Sequence, residues 1–118
     1  MKFSINSIEI DIRKDNGIYT LGGMSSTGKS YLASLLKSAR VFGVKACVID
    51  SVGQEDTLQD SDEIIFVDRY DFIKSQSLLD MLLTRDAIIL VDCKHDCELS
   101  KLSKNAIIIL EKDRVIII

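Results

Sequence analysis

The chain has 118 residues, with 15 Lys and Arg against 18 Asp and Glu for a formal charge of −3. That length predicts one domain over 1–118 around a single core, and the mildly acidic balance gives no electrostatic case for a nucleic-acid partner. No apolar run approaches the ~20 residues of a membrane span. Met1-Lys2-Phe3-Ser4 lacks the apolar stretch of a signal peptide, so a cytoplasmic location is expected.

With no proline in the chain, boundaries are read from glycine, charge and hydrophobic period. Phe3, Ile5, Ile8, Ile10 and Ile12 predict two short alternating strands, antiparallel and closed by a turn at Lys14-Asp15-Asn16-Gly17. Gly17 to Gly22 reads as a short strand, and Lys29 to Phe42 as a helix with Tyr31, Leu32, Leu35, Leu36 and Ala39 on one face and Gly43 past its end. Val44 to Val52 predicts a strand containing Asp50. An acidic polar loop, Gly53 to Asp62, follows it. Ile64-Ile65-Phe66-Val67 then forms an apolar strand ending at Asp68. Phe72 to Thr84 is a helix with Leu78, Leu79, Leu82 and Leu83 inward, and Ala87 to Asp92 repeats the strand-then-acid form. A short helical piece near Asp96 to Lys104 precedes strands at Ala106 to Leu110 and Val115 to Ile118.

Continuous apolar runs alternating with helices predict a parallel sheet covered on both faces. The expected fold is therefore α/β, a three-layer sandwich with a mostly parallel sheet plus antiparallel N-terminal and C-terminal strands, its P-loop form resting on the motif at Gly23 to Ser30. Ligands of such sheets sit at the carboxyl ends of the strands. The terminal run of isoleucines is expected to form an apolar edge that a second protomer or a protein partner covers.

Chemistry concentrates at Gly23-Met24-Ser25-Ser26-Thr27-Gly28-Lys29-Ser30, which matches G-x-x-x-x-G-K-[ST] at every fixed position between a predicted strand and a predicted helix. Glycines at 23 and 28 permit backbone angles and close approach that turn consecutive N–H groups toward an anion at the helix's positive end. Residues Gly23 to Ser30, with Tyr31 beside them, are thus the expected phosphate-binding set for a nucleotide, ATP. Lys29 is suited to the β- and γ-phosphates, and the Ser30 hydroxyl to Mg²⁺, a hard cation that prefers oxygen. Such a loop needs an acid at the end of a neighbouring strand to hold the metal's water shell. Asp68 is the first choice, Asp92 the second, and Asp50 has the weakest claim.

Asp92-Cys93-Lys94-His95-Asp96-Cys97 also gathers metal-ligand types, yet no second Cys/His cluster completes a tetrahedral zinc site. The odd set Cys47, Cys93 and Cys97 suits reduced thiols.

Ile8-Glu9-Ile10-Asp11-Ile12-Arg13-Lys14 and Gly17-Ile18-Tyr19-Thr20-Leu21-Gly22-Gly23, with the region from Ile88 to Asp96 and the stretch Asn105 to Ile116, resemble the ABC-type ATPases of the P-loop NTPase superfamily over nearly the whole chain. The resemblance implies Walker A at Gly23 to Ser30, Walker B at Asp68, a D-loop acid at Asp71 and a γ-phosphate-sensing histidine at His95, making Lys29, Asp68 and His95 the catalytic candidates. It also marks departures. Arg69 stands where that family carries the glutamate that orients water, so hydrolysis is expected to be weak or absent. No LSGGQ-like signature occurs, and the interval from Val52 to Ile64 is too short for the helical subdomain that bears it. Ser26 replaces a common glycine, and no aromatic upstream offers a base platform.

A regulatory or assembly role follows for a minimal Mg-ATP-binding domain of this kind. Two alternatives stand beside it: a small phosphotransferase, with Asp68 or Asp92 activating an acceptor and Arg85 or Arg114 clamping phosphate, and a degenerate interaction module without enzymatic activity. GTP is set aside because Ser103-Lys104-Asn105-Ala106 lacks the N-K-x-D form.

Overall fold

A computed structural model of the chain describes residues 1–21, 28–94, 98–101 and 103–118. Its strands sort by how many faces they bury. Strands β4 (Ala46–Ile49), β5 (Ile64–Val67) and β6 (Ile88–Val91) are uninterrupted apolar runs, and every residue in them is buried. A strand with no polar face must be covered on both sides, which is what parallel sheets between helices provide. Together with β3 (Gly17–Leu21) and β7 (Lys104–Ala106) they form a five-stranded sheet in the order β4-β5-β6-β3-β7, with every pairing parallel.

Helix α1 (Lys29–Ala39) covers one face of that sheet through Leu32, Ala33, Leu35, Leu36 and Ala39. Tyr31, expected on the same stripe, is 43% exposed. It and Ala33 flank Leu32 by about 100° on opposite sides, and only the Ala33 flank is covered. Arg40 fastens the helix end to the sheet: its guanidinium donates two hydrogen bonds to buried Asp62 at 2.7 and 2.8 Å and one to the Ala46 carbonyl at 2.9 Å.

The other face carries α2 (Tyr70–Ile73) and α3 (Gln76–Thr84) rather than one helix from Phe72 to Thr84. Ser75 makes the break. Its extended backbone and side-chain oxygen, which accepts from the Leu78 N–H at 3.1 Å, start a new helix there. With this phase Leu78 and Leu82 are buried and Leu79 is partly buried, whereas Leu83, expected inward, is 53% exposed.

The terminal strands build a sheet of their own. Strands β1 (Lys2–Ile5), β2 (Ile8–Ile12), β8 (Ile108–Glu111) and β9 (Arg114–Ile117) run in the order β1-β2-β9-β8, with β2 and β9 parallel and the two outer pairs antiparallel. Its residues Ile5, Ile10, Ile12, Val115 and Ile117 share one core with α1 and the near face of the parallel sheet. The run Ala106 to Leu110 is divided between the two sheets at Ile107. That residue instead exchanges backbone hydrogen bonds of 2.7 and 3.0 Å with Ile118.

This arrangement corrects the expectation of a naked isoleucine edge. Strand β9 lies inside the sheet, and Val115, Ile116 and Ile117 are all buried. The reason is non-local: β2, some hundred positions earlier, supplies the missing neighbour. Among the described residues, no helix is long and apolar enough to cross a membrane.

At the joint between β2 and β9 a buried carboxylate, Asp11, receives Arg13 Nε at 3.0 Å and Arg114 Nη2 at 3.1 Å. Burial by itself raises an acid's pKa, but here the two guanidinium hydrogen bonds outweigh it and hold Asp11 below its ordinary 3.8. A lowered folded pKa gives stability that is present above 3.8 and is lost as pH falls through the folded value.

Two predictions follow from this packing. Replacing Asp11 with Asn destabilises the protein at pH 7, and the gap from wild type in urea melts closes on acidification below the ordinary carboxylate range. Ile117→Ala costs about 3 kcal/mol by the same measurement, independently of protein concentration. A loss that depended on concentration would return the isoleucine strand to an intermolecular edge.

Candidate functional site

The parallel register determines which side chains meet. Val67 lies opposite Val91, and Thr20 lies opposite Val91 on its other side, so the carboxyl ends of β5, β6 and β3 are level. Asp68 and Asp92 each follow their strand by one residue and so emerge side by side. Backbone bonds fix both: the Asp68 N–H donates to the Ile49 carbonyl, the Asp92 N–H to Val67, and the Tyr70 N–H to the Asp92 carbonyl, each at 2.8 Å. Strand β6 lies directly beside β3, with β5 one place further out. The acid at the end of the strand adjoining β3 is therefore Asp92, whereas the sequence reading prefers Asp68.

Helix α1 enters this edge from the other side. Gly28 caps it with φ 92° and ψ 6°, a left-handed conformation costly for any residue with a Cβ. A Cβ on Gly28 would also come within 2.9 Å of Leu110 Cδ1 on strand β8, so that exposed leucine side chain would have to shift. From the next position Lys29 extends its ammonium to Asp92, with Nζ 2.9 Å from Oδ1 and only 14% and 17% of the two side chains exposed.

Lys29, Ser30, Asp68, Arg69 and Asp92 line an open cleft of about 390 Å³ at the positive end of α1. Loss of water around Asp68 raises its pKa above the ordinary 3.8. The neighbouring Asp92 carboxylate raises it further, by charge and by accepting a hydrogen bond from the protonated form, while Arg69 partly opposes the shift. Arg69 Nε is 3.9 Å from Asp68 Oδ2 and its side chain is 65% exposed, a contact that solvent screens heavily.

A second hollow of about 210 Å³ adjoins the first, sharing Lys29, Arg69 and Asp92 and adding Asp71, Phe72, Cys93 and Lys94. Asp71, the expected D-loop acid, accepts a 2.6 Å hydrogen bond from the Lys94 N–H and so ties α2 to the chain leaving β6. The Lys94 ammonium sits 5.8 Å from the centroid of the exposed Phe72 ring. No sequence spacing announces this pair, since the partners come from different elements that Tyr70 and Asp71 tie together.

The structure brings together Gly28, Lys29, Ser30, Asp68 and Asp92 of the expected set. Tyr31 stands on the exposed flank of α1, and Asp50 is held by Lys37 Nζ at 2.6 Å. Gly23, Met24, Ser25, Ser26, Thr27 and His95 lie outside the described residues. The two arginines considered as phosphate clamps are committed elsewhere: Arg85 donates to the Gln59 carbonyl, and Arg114 pairs with Asp11 at the joint between β2 and β9. Arg69 keeps its exposed ion pair with Asp68 and also lines both hollows.

A further cavity of about 340 Å³ between α1, β4 and residues 54–57 is lined by groups that satisfy one another. Gln54 Oε1 accepts from the Asp50 and Ser51 N–H groups at 2.7 and 3.2 Å, and Thr57 donates to the Gln54 carbonyl at 2.7 Å. Its Cys47 thiol is pushed above its ordinary pKa by burial. That combination suits a structural role.

Among the described residues, no group of three or more His, Cys, Asp or Glu is placed to hold a metal unaided. A cation at the cleft would have Asp68, Asp92 and the Ser30 hydroxyl, with its remaining oxygens supplied by a ligand or water. No protein-family model matches the chain, and neither a curated protein nor a solved structure matches it.

Because its folded pKa is raised, ionised Asp68 costs stability above that value and costs none below 3.8, where it is protonated folded or unfolded. Asp68→Asn without ligand is therefore expected to melt a few degrees higher than wild type at pH 7. The advantage should vanish near pH 3 in a thermal melt followed by circular dichroism. A lower melting temperature at neutral pH would show that Asp68 is a structural acid.

Proposed function

We propose that this chain is a minimal P-loop domain that binds Mg-ATP, with weak or absent hydrolysis and a regulatory or assembly role, in the reducing cytoplasm that its free thiols suit. One observation carries the reading: Lys29 and Ser30, in the first turn of α1, face Asp68 and Asp92 across a cleft at the carboxyl edge of a parallel sheet. Sequence motif and tertiary position both support a polyphosphate ligand. The motif names a lysine and a hydroxyl residue for phosphate and metal, and sheets of this kind take ligands at this edge.

The residues present fit a Mg²⁺ ion. Two carboxylates that repel one another, beside a serine hydroxyl, form an all-oxygen donor set that gains from a divalent hard cation. When bound, the ion supplies charge neutralisation for the β- and γ-phosphates. The protein's own groups do the rest. Amides of the Gly23 to Ser30 loop and the positive end of α1 attract the anion, Ser30 and the acids orient the metal, and Lys29 exchanges Asp92 for phosphate oxygen. Arg69 occupies the position after Asp68, so no side chain there takes a proton from water, and turnover is slow for that reason.

The test is calorimetric titration of Mg-ATP into wild type and Lys29→Ala. Wild type should bind, and the variant should lose at least a hundredfold in affinity while keeping its far-ultraviolet spectrum. Equal affinities for the two proteins would remove the proposal. Mg-GTP titrated in parallel checks the preference for adenine.

A further inference from the structure

Arg69 holds φ 49° and ψ 55°, in the left-handed region. Among the described residues, the other non-glycine residues with positive φ are Asn6 and Ser7. Those two make the tight turn between β1 and β2, where hairpin geometry demands such angles. Arg69 has no hairpin to explain it. It links β5 to α2, and the turn is locked by the Tyr70 N–H on the Asp92 carbonyl at 2.8 Å and the Phe72 N–H on the Arg69 carbonyl at 3.0 Å. Glycine would take these angles without strain, so the side chain must supply something that outweighs the cost.

Charge in the cleft indicates what that is. Lys29 and Arg69 face Asp68 and Asp92, two cations against two carboxylates. A divalent cation on the carboxylates would balance both and leave the two basic side chains to meet phosphate. Lys29 and the positive end of α1 serve diphosphate and triphosphate alike, whereas the added negative charge of a third phosphate favours a second cation. Arg69 suits that task, because its contact with Asp68 is long and largely exposed and costs little to give up, and its guanidinium matches phosphate oxygens with two parallel donors.

We infer that Arg69 is the residue that discriminates triphosphate from diphosphate in this cleft, reading the terminal phosphate from the turn after β5. The inference rests on the nucleotide-binding reading and goes beyond it by assigning phosphate-count selectivity to one side chain. It also gives the strained turn a purpose, since the left-handed backbone places the arginine at the junction of both hollows.

The experiment measures dissociation constants for Mg-ADP and for a non-hydrolysable Mg-ATP analogue on wild type, Arg69→Gly and Arg69→Gln, with thermal melts of all three. Arg69→Gly is expected to melt above wild type because it relieves the strain, and to weaken the triphosphate by about 10- to 100-fold while leaving the diphosphate within about twofold. Arg69→Gln keeps the strained backbone and should show the same selective loss without the gain in melting temperature. If wild type binds both nucleotides and the ratio of constants is unchanged in both variants, the assignment to Arg69 falls and the nucleotide reading survives. If wild type binds neither, both fall together.

Discussion

The arrangement of this protein turns on one ion pair, between Lys29 in the first turn of α1 and Asp92 at the end of β6. With less than a fifth of either side chain exposed, the pair operates where the dielectric is lower than in bulk water, so separating it without replacement partners is costly. Such a pair is poor evidence for stability; in the proposed function it is the contact that a phosphate and a cation would replace together. Every nearby feature is consistent with that exchange. Asp68 stands ready as a second carboxylate, Ser30 offers an oxygen, and the parallel register holds all of them level.

The scaffold behind the pair explains why the groups stay aligned. β5 and β6 are apolar on both faces and packed on both sides, by α1 with the four-stranded sheet and by α2 with α3. Strands gripped in this way cannot slip by one residue without turning charged neighbours into the core. Asp68 and Asp92 therefore inherit their positions from the hydrophobic pattern of the residues before them. Gly28 works in the same manner at the helix end, where its left-handed backbone angles disfavour any residue with a Cβ.

Strain and repulsion meet at this edge. The left-handed Arg69 backbone and the raised pKa of Asp68 both cost folding energy, and both occur within a few ångströms of the cleft. Elsewhere the buried carboxylates are paired, Asp62 with Arg40 and Asp11 with Arg13 and Arg114.

Much of this was legible in the order of residues. The strand before Lys29 and Ser30 and the helix they begin, the apolar runs ending at Asp68 and Asp92, and the helical face of Leu32, Leu35, Leu36 and Ala39 are local signals, because hydrophobic period and turn chemistry act over a few positions. What needed the tertiary structure was every relation across long separations. Only the sheet order puts β6 rather than β5 beside β3, making Asp92 the partner of Lys29. Pairing of β2 with β9 turns a supposed sticky end into a core strand, and the capping by Ser75 splits a helix whose period looked continuous. The exposed turn at Arg69 became visible only as a backbone angle. One-dimensional patterns report which residues bury and where chains turn, while the choice of neighbour is made by the collective packing of strands that have similar apolar faces and differ only in where the rest of the chain allows them to lie.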